Sequence, residues 1–286
     1  MKRIKYFFQF LFISSLLIFF KIIGLKFSRI VASKLFSTFG PFFRSKKIIE
    51  QNISYAFHEK DKDFEKIIIR NMWKSYGKIL AEYVFMKYFR KIESEKFLEI
   101  KGQKILEKIK DSKEPVIFVS GHFDNFELMA MHIEKSGVDL AAIYRPLNNI
   151  FLSPMMENIR KKYICSKQIK KGISGTKEIL KYFKSGSSIA LMIDQRVSEG
   201  IKSSLFRNEA LTTTIPAQFV KKFKCKVVPI YIERKSNENF MLEIMQPINF
   251  DNGETVENIT LKLNQLLEKM IIRNPYQWIW SHNRWK

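Results

Sequence analysis

Two rhythms of apolar and polar positions run along this chain. In "KDFEKIIIRNMWKSYGKILAEYVFMKYFRKI", residues 62 to 92, the apolar side chains Phe64, Ile67, Ile68, Met72, Tyr76, Ile79, Leu80 and Tyr83 fall at helical spacing. Trp73, Phe85 and Phe89 widen that face, which suits a core or a lipid-facing groove. After "EKIKDSKEP" the rhythm shortens. "PVIFVSG" (115–121), "VDLAAIYR" (138–145), "SSIALMID" (187–194) and "CKVVPIYIE" (225–233) read as strands. "NFELMAMHIEKSG" (125–137), "NIFLSPMMENIRKKY" (149–163), "GTKEILKYFKSG" (175–186) and "TIPAQFVKKFK" (214–224) read as the helices between them. Strand and helix in alternation predict an α/β fold, and strands apolar throughout predict a mostly parallel sheet covered by helices on both faces. There is no internal repeat, low-complexity linker or composition break, so residues 31–286 read as one domain behind an N-terminal helical annex.

The first 30 residues follow neither rhythm. From Tyr6 to Leu25 the clearly polar residues are Gln9, Ser14, Ser15 and Lys21. Twenty helical residues reach about 30 Å, the thickness of a bilayer's hydrocarbon core, and Lys21 lies where it can snorkel toward headgroups. Residues 1–30 therefore predict a membrane-anchoring helix. A cleaved signal peptide and a buried core helix are the competing readings, and no small-x-small cleavage site follows the apolar run. Residues 1 to 50 hold ten basic side chains and one acid, Glu50, on both sides of the segment, so charge does not orient it.

Charge extends the picture. Fifty Lys and Arg against 28 Asp and Glu give a net charge of +22, a field that favours phosphates, acidic lipid, nucleic acid or acidic proteins. Residues 160 to 184 alone carry nine basic side chains and a single acid, Glu178, which makes them either a docking surface or a solvated helix face. The 46% hydrophobic content excludes global disorder. Cys165 and Cys225 have neither CxxC spacing nor a nearby His cluster, so two reduced thiols are expected, with no metal and no cofactor. No RNP motif, zinc pattern or recognition helix supports a nucleic-acid-binding protein.

Candidate chemistry gathers in "VIFVSGHFDNFELMA", residues 116 to 130. His122 falls just past the carboxyl end of a strand, where open α/β sheets bind ligands. Two readings of the acids that follow stand side by side. Asp124 and Glu127 form a D-x-x-E capping box. Alternatively, Glu127 accepts the Nδ1 proton of His122, leaving Nε2 to take a proton from a hydroxyl. On one continuous helix five residues turn about 500° and the two side chains diverge; they converge only if His122 precedes the helix and Glu127 lies in its first turn. Ser120 stands beside Gly121 without a G-x-S-x-G elbow, so a covalent serine mechanism is not expected. The amides at Gly121 and at the helix start are the candidate oxyanion donors.

An H-x-x-x-x-E sequence after an apolar strand resembles the signature of glycerolipid-type acyltransferases. "YRPLNN" (144–149), "MIDQR" (192–196), "VVPIYIER" (227–234) and "PYQWIWSHNRWK" (275–286) follow in the order of the bacterial lipid A biosynthesis (late) acyltransferase family, lauroyl/myristoyl type. The resemblance covers roughly residue 15 to the end. It implies an enzyme at the bacterial inner membrane, active site facing the cytoplasm, that moves a fatty acyl chain from an acyl carrier protein thioester to a hydroxyl of a lipid A precursor. It implies His122 as general base, Glu127 as its partner, Arg145 as a phosphate or headgroup contact, Asp194 and Gln195 lining the site, and Arg234 helping to hold it together. "SLFRNEA" stands where the family commonly has "FFG" and a small residue. A different acceptor, such as another phosphoglycolipid or a lysophospholipid served by acyl-CoA, is the alternative. Trp278, Trp280 and Trp285 suit either a headgroup belt or the core, and His282 is expected to be structural.

Overall fold

The computed structural model describes residues 2–57 and 61–286; Met1 of the expected anchor and residues 58–60 lie outside them. The chain opens with α1 (Lys2–Phe39), α2 (Lys46–Ala56), α3 (Lys62–Glu82) and α4 (Met86–Lys91). The α/β layer follows as β1 (Leu98–Lys101), α5 (Gln103–Ser112), β2 (Ile117–Ser120), α6 (Glu127–Lys135), β3 (Leu140–Tyr144) and α7 (Leu152–Ile159). It continues with β4 (Lys167–Lys170), α8 (Ile173–Lys184), β5 (Ser188–Met192), a hairpin of β6 (Ile201–Leu205) and β7 (Asn208–Thr212), and α9 (Ile215–Phe223). The strands β8 (Val227–Arg234) and β9 (Phe240–Ile244) and the helix α10 (Val256–Arg273) close it.

Seven strands form one sheet in the order β1-β9-β8-β2-β5-β3-β4, parallel except for the β8–β9 pair. The four strands expected from apolar runs, β2, β3, β5 and β8, are adjacent at its centre, and all four residues of β2 are buried. Burial on both faces is what an unbroken apolar run encodes. The mixed, mostly parallel sheet covered by helices is the fold class the alternation predicts. From β2 the chain runs through α6 to the β3–β4 side, whereas from β5 it runs through the hairpin and α9 to β8 on the other side. The neighbouring carboxyl ends of β2 and β5 are therefore a topological switch point, where such sheets bind ligands.

The expected N-terminal helix is present and continues past residue 30 to Phe39. It bends at Gly24, whose φ of 78° and ψ of 164° suit a residue without Cβ. Ser28 Oγ lies 2.6 Å from both the Phe20 and Gly24 carbonyl oxygens, satisfying the ladder that the bend opens. Beyond the bend α1 lies against α3 so closely that a Cβ on Gly77 would sit 2.2 Å from the Ala32 carbonyl oxygen. Before it, Phe8, Phe12, Ile18 and Ile22 are exposed. The most apolar 18-residue stretch of the segment Lys2–Phe43 has a mean hydropathy of 2.1 with 11% of it buried, and the segment is long and apolar enough to cross a membrane.

A buried ion cluster joins these helices to the sheet. Glu82, at the end of α3 and fully buried, accepts from Arg29 Nε of α1 at 2.6 Å, from Arg234 of β8 at 2.6 and 2.9 Å, and from Asn125 Nδ2 at 2.7 Å. Arg234 also donates to Asp124 at 2.6 Å. Burial alone would raise the Glu82 carboxyl, but the two guanidinium groups hold it below the usual carboxylate range. Two cations and two carboxylates balance, as a buried cluster requires. Glu82→Ala is expected to cost about 3–5 kcal/mol, because Arg29 and half of the Arg234 fork lose their partner. Denaturant unfolding in detergent, followed by tryptophan fluorescence, measures it; an unchanged midpoint would mean that the carboxylate is not holding these charges.

Candidate active site

The register of two parallel strands builds the site. Ser120 of β2 lies opposite Met192 of β5, so the residues two further along, His122 and Asp194, emerge side by side. His122 Nδ1 is 2.7 Å from Asp194 Oδ1, and the His122 backbone N–H donates to Asp194 Oδ2 at 2.7 Å. Trp278 Nε1 donates to the same Oδ2 at 2.9 Å. One fully buried carboxylate thus fixes both the backbone and the ring of His122. Burial would raise its pKa, but His122 and these three hydrogen bonds hold Asp194 below the usual carboxylate range. A carboxylate at Nδ1 places the proton of the neutral imidazole there, so Nε2 presents its lone pair.

The spacing reading gives the Nδ1 position to Glu127; the structure gives it to Asp194. Glu127 instead accepts from the Tyr83 hydroxyl and from Arg160 Nε and Nη2 at 2.8 and 2.6 Å. Arg160 opens a single π-helical turn, Arg160–Ile164, at the end of α7. Burial opposes its charge, but Glu127 and Tyr83 hold the guanidinium protonated. The reason Glu127 leaves His122 is local. Asp124 adopts φ 31° and α6 starts only at Glu127, while Asp194 reaches the ring straight from the neighbouring strand. The capping box does not form either: Phe126 is the N-cap with no side-chain bond, and Asp124 is taken by Arg234 and by the Asn125 amide at 2.8 Å.

His122 and Glu127 nevertheless line one cavity, of about 790 Å³. Arg145 and Gln195 line it too, with Gln195 Nε2 3.5 Å from His122 Nε2. Arg234 does not reach it and works from below, through Asp124. The floor crosses three strands: Ala190, Ala142 and Gln168 are lateral neighbours in the sheet and all face the cavity. Phe126, Ala130, Ile164 and Ile215 add apolar wall. The rim is cationic. Arg44, Arg145 and Lys171 line it and have no carboxylate partner among the described residues. Partial burial, and then the charge of Arg145, push the Lys171 ammonium below its usual pKa. An apolar slot with a cationic rim and an imidazole on a carboxylate suits an amphiphile with an anionic head and a hydroxyl to be deprotonated.

The C-terminal tryptophans belong to the core and not to a surface belt. Trp278 and Trp280 are buried and pack edge to face with centroids 4.6 Å apart, and the partly buried Trp285 lies 6.3 Å from Trp278. Asn52 Nδ2 donates to the Trp280 and His282 carbonyls at 2.7 and 2.6 Å. The segment so held contributes Ile279, Ser281 and His282 to the cavity wall. Sequence reasoning missed Tyr83, Arg160 and Trp278 as site residues. Arg160 was legible only as part of a basic run and Trp278 only as an aromatic.

These features define an α/β protein with a histidine–carboxylate pair at a slot shaped for an amphiphile. A family model described as bacterial lipid A biosynthesis acyltransferase matches residues 2–286. The chain belongs to that family and is an acyl-transferring enzyme. It is 23% identical over 252 residues to a lipid A biosynthesis lauroyltransferase of Escherichia coli (strain K12), covering 85% of this chain and 79% of that protein. A lipid A biosynthesis palmitoleoyltransferase of the same strain is 23% identical over 249 residues, covering 85% and 79%. A lipid A biosynthesis acyltransferase of Haemophilus influenzae is 22% identical over 252 residues, covering 85% and 78%.

Burial pushes the pKa of His282, and that of His132 on the buried face of α6, down to about 4. The unfolded chain, with histidines near 6.5, takes these protons first. Stability is therefore expected to be flat above about pH 6.5 and to fall as pH drops toward 4. Histidine-selective NMR at pH 5.5 should find both rings neutral, and His132→Gln should flatten the acid limb of stability. Two protonated rings at that pH would refute the assignment.

Proposed function

We propose that the chain transfers a fatty acyl group from an acyl carrier protein thioester to a hydroxyl of a lipid A precursor, at the cytoplasmic face of the bacterial inner membrane. The observation that carries this reading is the 2.7 Å contact between His122 Nδ1 and Asp194 at a slot with apolar walls and a cationic rim. His122 Nε2 takes the hydroxyl proton as the alcohol oxygen attacks the thioester carbonyl carbon. The tetrahedral intermediate collapses, the C–S bond breaks, and the leaving thiolate takes the proton back from Nε2. Asp194 holds the ring in the productive tautomer and stabilises the imidazolium formed in between. Glu127 acts through Arg160, fixing a buried guanidinium in the cavity wall.

Arg145 and Lys171, two cations in no salt bridge among the described residues, suit a phosphate on the acceptor; the planar guanidinium offers a fork and the ammonium a point charge. Lys161 and Lys162, next in sequence to Arg160, and Lys177, in the first half of the helix that follows Lys171, are exposed and suit an acidic carrier protein presenting its thioester. The exposed aromatic and aliphatic face of α1 supports insertion in the membrane. The same slot would accommodate the acyl chain.

Transfer of labelled acyl groups from the carrier-protein thioester to a lipid A precursor in mixed micelles tests the reading. His122→Ala and Asp194→Ala are expected to lose about 10²–10⁴-fold in turnover while staying folded. Glu127→Ala is expected to lose both rate and thermal stability, because it leaves Arg160 buried and unpaired. Arg145→Ala and Lys171→Ala should raise KM for a phosphorylated acceptor and not for its dephosphorylated counterpart. Full turnover in Asp194→Ala would refute the base assignment, and preference for acyl-CoA would refute the donor.

A further inference from the structure

We propose that Gln195 is a catalytic residue whose side-chain amide donates a hydrogen bond to the oxyanion formed on the acyl carbonyl. This rests on the acyl-transfer reading above and adds the group that meets the developing negative charge, a role that His122, Asp194 and Arg160 do not fill.

The first observation removes most of the obvious alternative, every amide between Gly121 and Glu127. A strand-to-helix loop usually offers its backbone amides as an oxyanion hole, and those around Gly121 and the helix start are the natural candidates from sequence. In the structure five consecutive amides of that loop are already spent. His122 N–H donates to Asp194, Phe123 N–H to the Gly121 carbonyl, Asp124 N–H to the Gln277 carbonyl, Asn125 N–H to Asp124 Oδ1, and Phe126 N–H to the Asp124 carbonyl. Their acceptors are parts of the loop itself or of buried neighbours, so turning any of them toward a substrate would dismantle the support of His122. Arg160, the buried cation of the wall, is equally committed, to Glu127 and Tyr83.

The second observation points to the replacement. With Nδ1 bonded to a carboxylate, Nε2 carries a lone pair, and whatever faces it must be a donor. Gln195 Nε2 lies 3.5 Å from it, so the amide turns its NH₂ group, not its oxygen, toward the reacting position. At 3.5 Å the contact is too long to hold the amide strongly. The alcohol oxygen must sit within hydrogen-bond reach of Nε2, roughly 2.6–3.2 Å. Once the new C–O bond forms, the oxyanion is attached to the same carbon as that oxygen, one bond angle away, and within reach of the amide. Strand β5 thus ends by delivering the partner of the base and the oxyanion donor in consecutive residues, Asp194 and Gln195.

The step balances without further groups. The alcohol proton moves to Nε2, the C–O bond forms, and the carbonyl π pair moves onto oxygen, where the Gln195 N–H meets it. Collapse restores the carbonyl as the C–S bond breaks, its electron pair leaves on sulfur, and sulfur takes the proton from Nε2. The amide stays neutral throughout.

The test uses the full-length enzyme in detergent. Two probes of equal chain length, an acyl-pantetheine α,α-difluoroketone, in which CF₂ replaces the thioester sulfur and which hydrates to a tetrahedral adduct, and the corresponding thioether, separate tetrahedral from ground-state binding. In Gln195→Ala we expect kcat to fall about 10²–10³-fold, KM for both substrates to stay near the wild-type value, and the wild-type preference for the ketone to shrink by a similar factor. Gln195→Glu keeps the shape but removes the donor, and should lose as much, which guards against a folding defect in the alanine variant. A raised acceptor KM at unchanged kcat, or an intact ketone preference in both variants, would overturn the assignment while leaving the His122–Asp194 reading in place. A wild-type enzyme that neither transfers acyl groups nor prefers the ketone would overturn both.

Discussion

Strands β2 and β5 lie parallel with Ser120 opposite Met192, and everything chemical about this protein follows from where they stop. Parallel strands in register end level with one another, so the residues that leave the sheet emerge as neighbours. Here those neighbours are an imidazole and a carboxylate. The carboxylate is fully buried, which is costly unless it is paired and hydrogen-bonded. It is satisfied by the ring and amide of His122 and by the indole of Trp278. Slipping the register by one residue would exchange side chains between the two faces of the sheet and separate the pair at once.

A second buried charge cluster supports the other side of the same loop. Asp124 and Asn125 are tied to Arg234 and Glu82, and Glu82 is tied to Arg29 of the N-terminal helix. The loop that carries His122 is therefore clamped from the sheet by Asp194 and from the helical layer by Glu82. Such clusters add little net stability compared with an apolar core, but removing one member is expensive. Their effect is to fix one arrangement of the loop, including the unusual positive φ at Asp124. The helix that carries the exposed apolar face and the loop that carries His122 are thus parts of one connected network.

The cavity divides its labour by dielectric. Small side chains on adjacent strands, Ala142 and Ala190, keep the floor low. The cations sit at the rim, where Arg145 and Lys171 are in no salt bridge among the described residues. Arg160, deeper in the wall, has Glu127 to neutralise it. Apolar floor, cationic rim and imidazole are in this way parts of one cavity.

Local pattern alone was enough for the class of fold, the four central strands, the apolar N-terminal helix and the position of His122 past a strand end. These depend on short-range periodicity and on the residues that end apolar runs. Arg145, Asp194, Gln195 and Arg234 were singled out by the family resemblance and not by periodicity. The edge strands β1 and β4 and the hairpin β6–β7 were not legible: their side chains are mixed, and pairing with distant segments makes them strands. The carboxylate that meets His122 was settled by the folded arrangement of the sheet. Spacing favoured Glu127, five residues away, but strand pairing brings Asp194, 72 residues away, to 2.7 Å. The same arrangement put the tryptophans in the core and gave Glu127 to Arg160. Partner choice among charged groups is set by which elements the sheet order places side by side, and no local pattern carries that order.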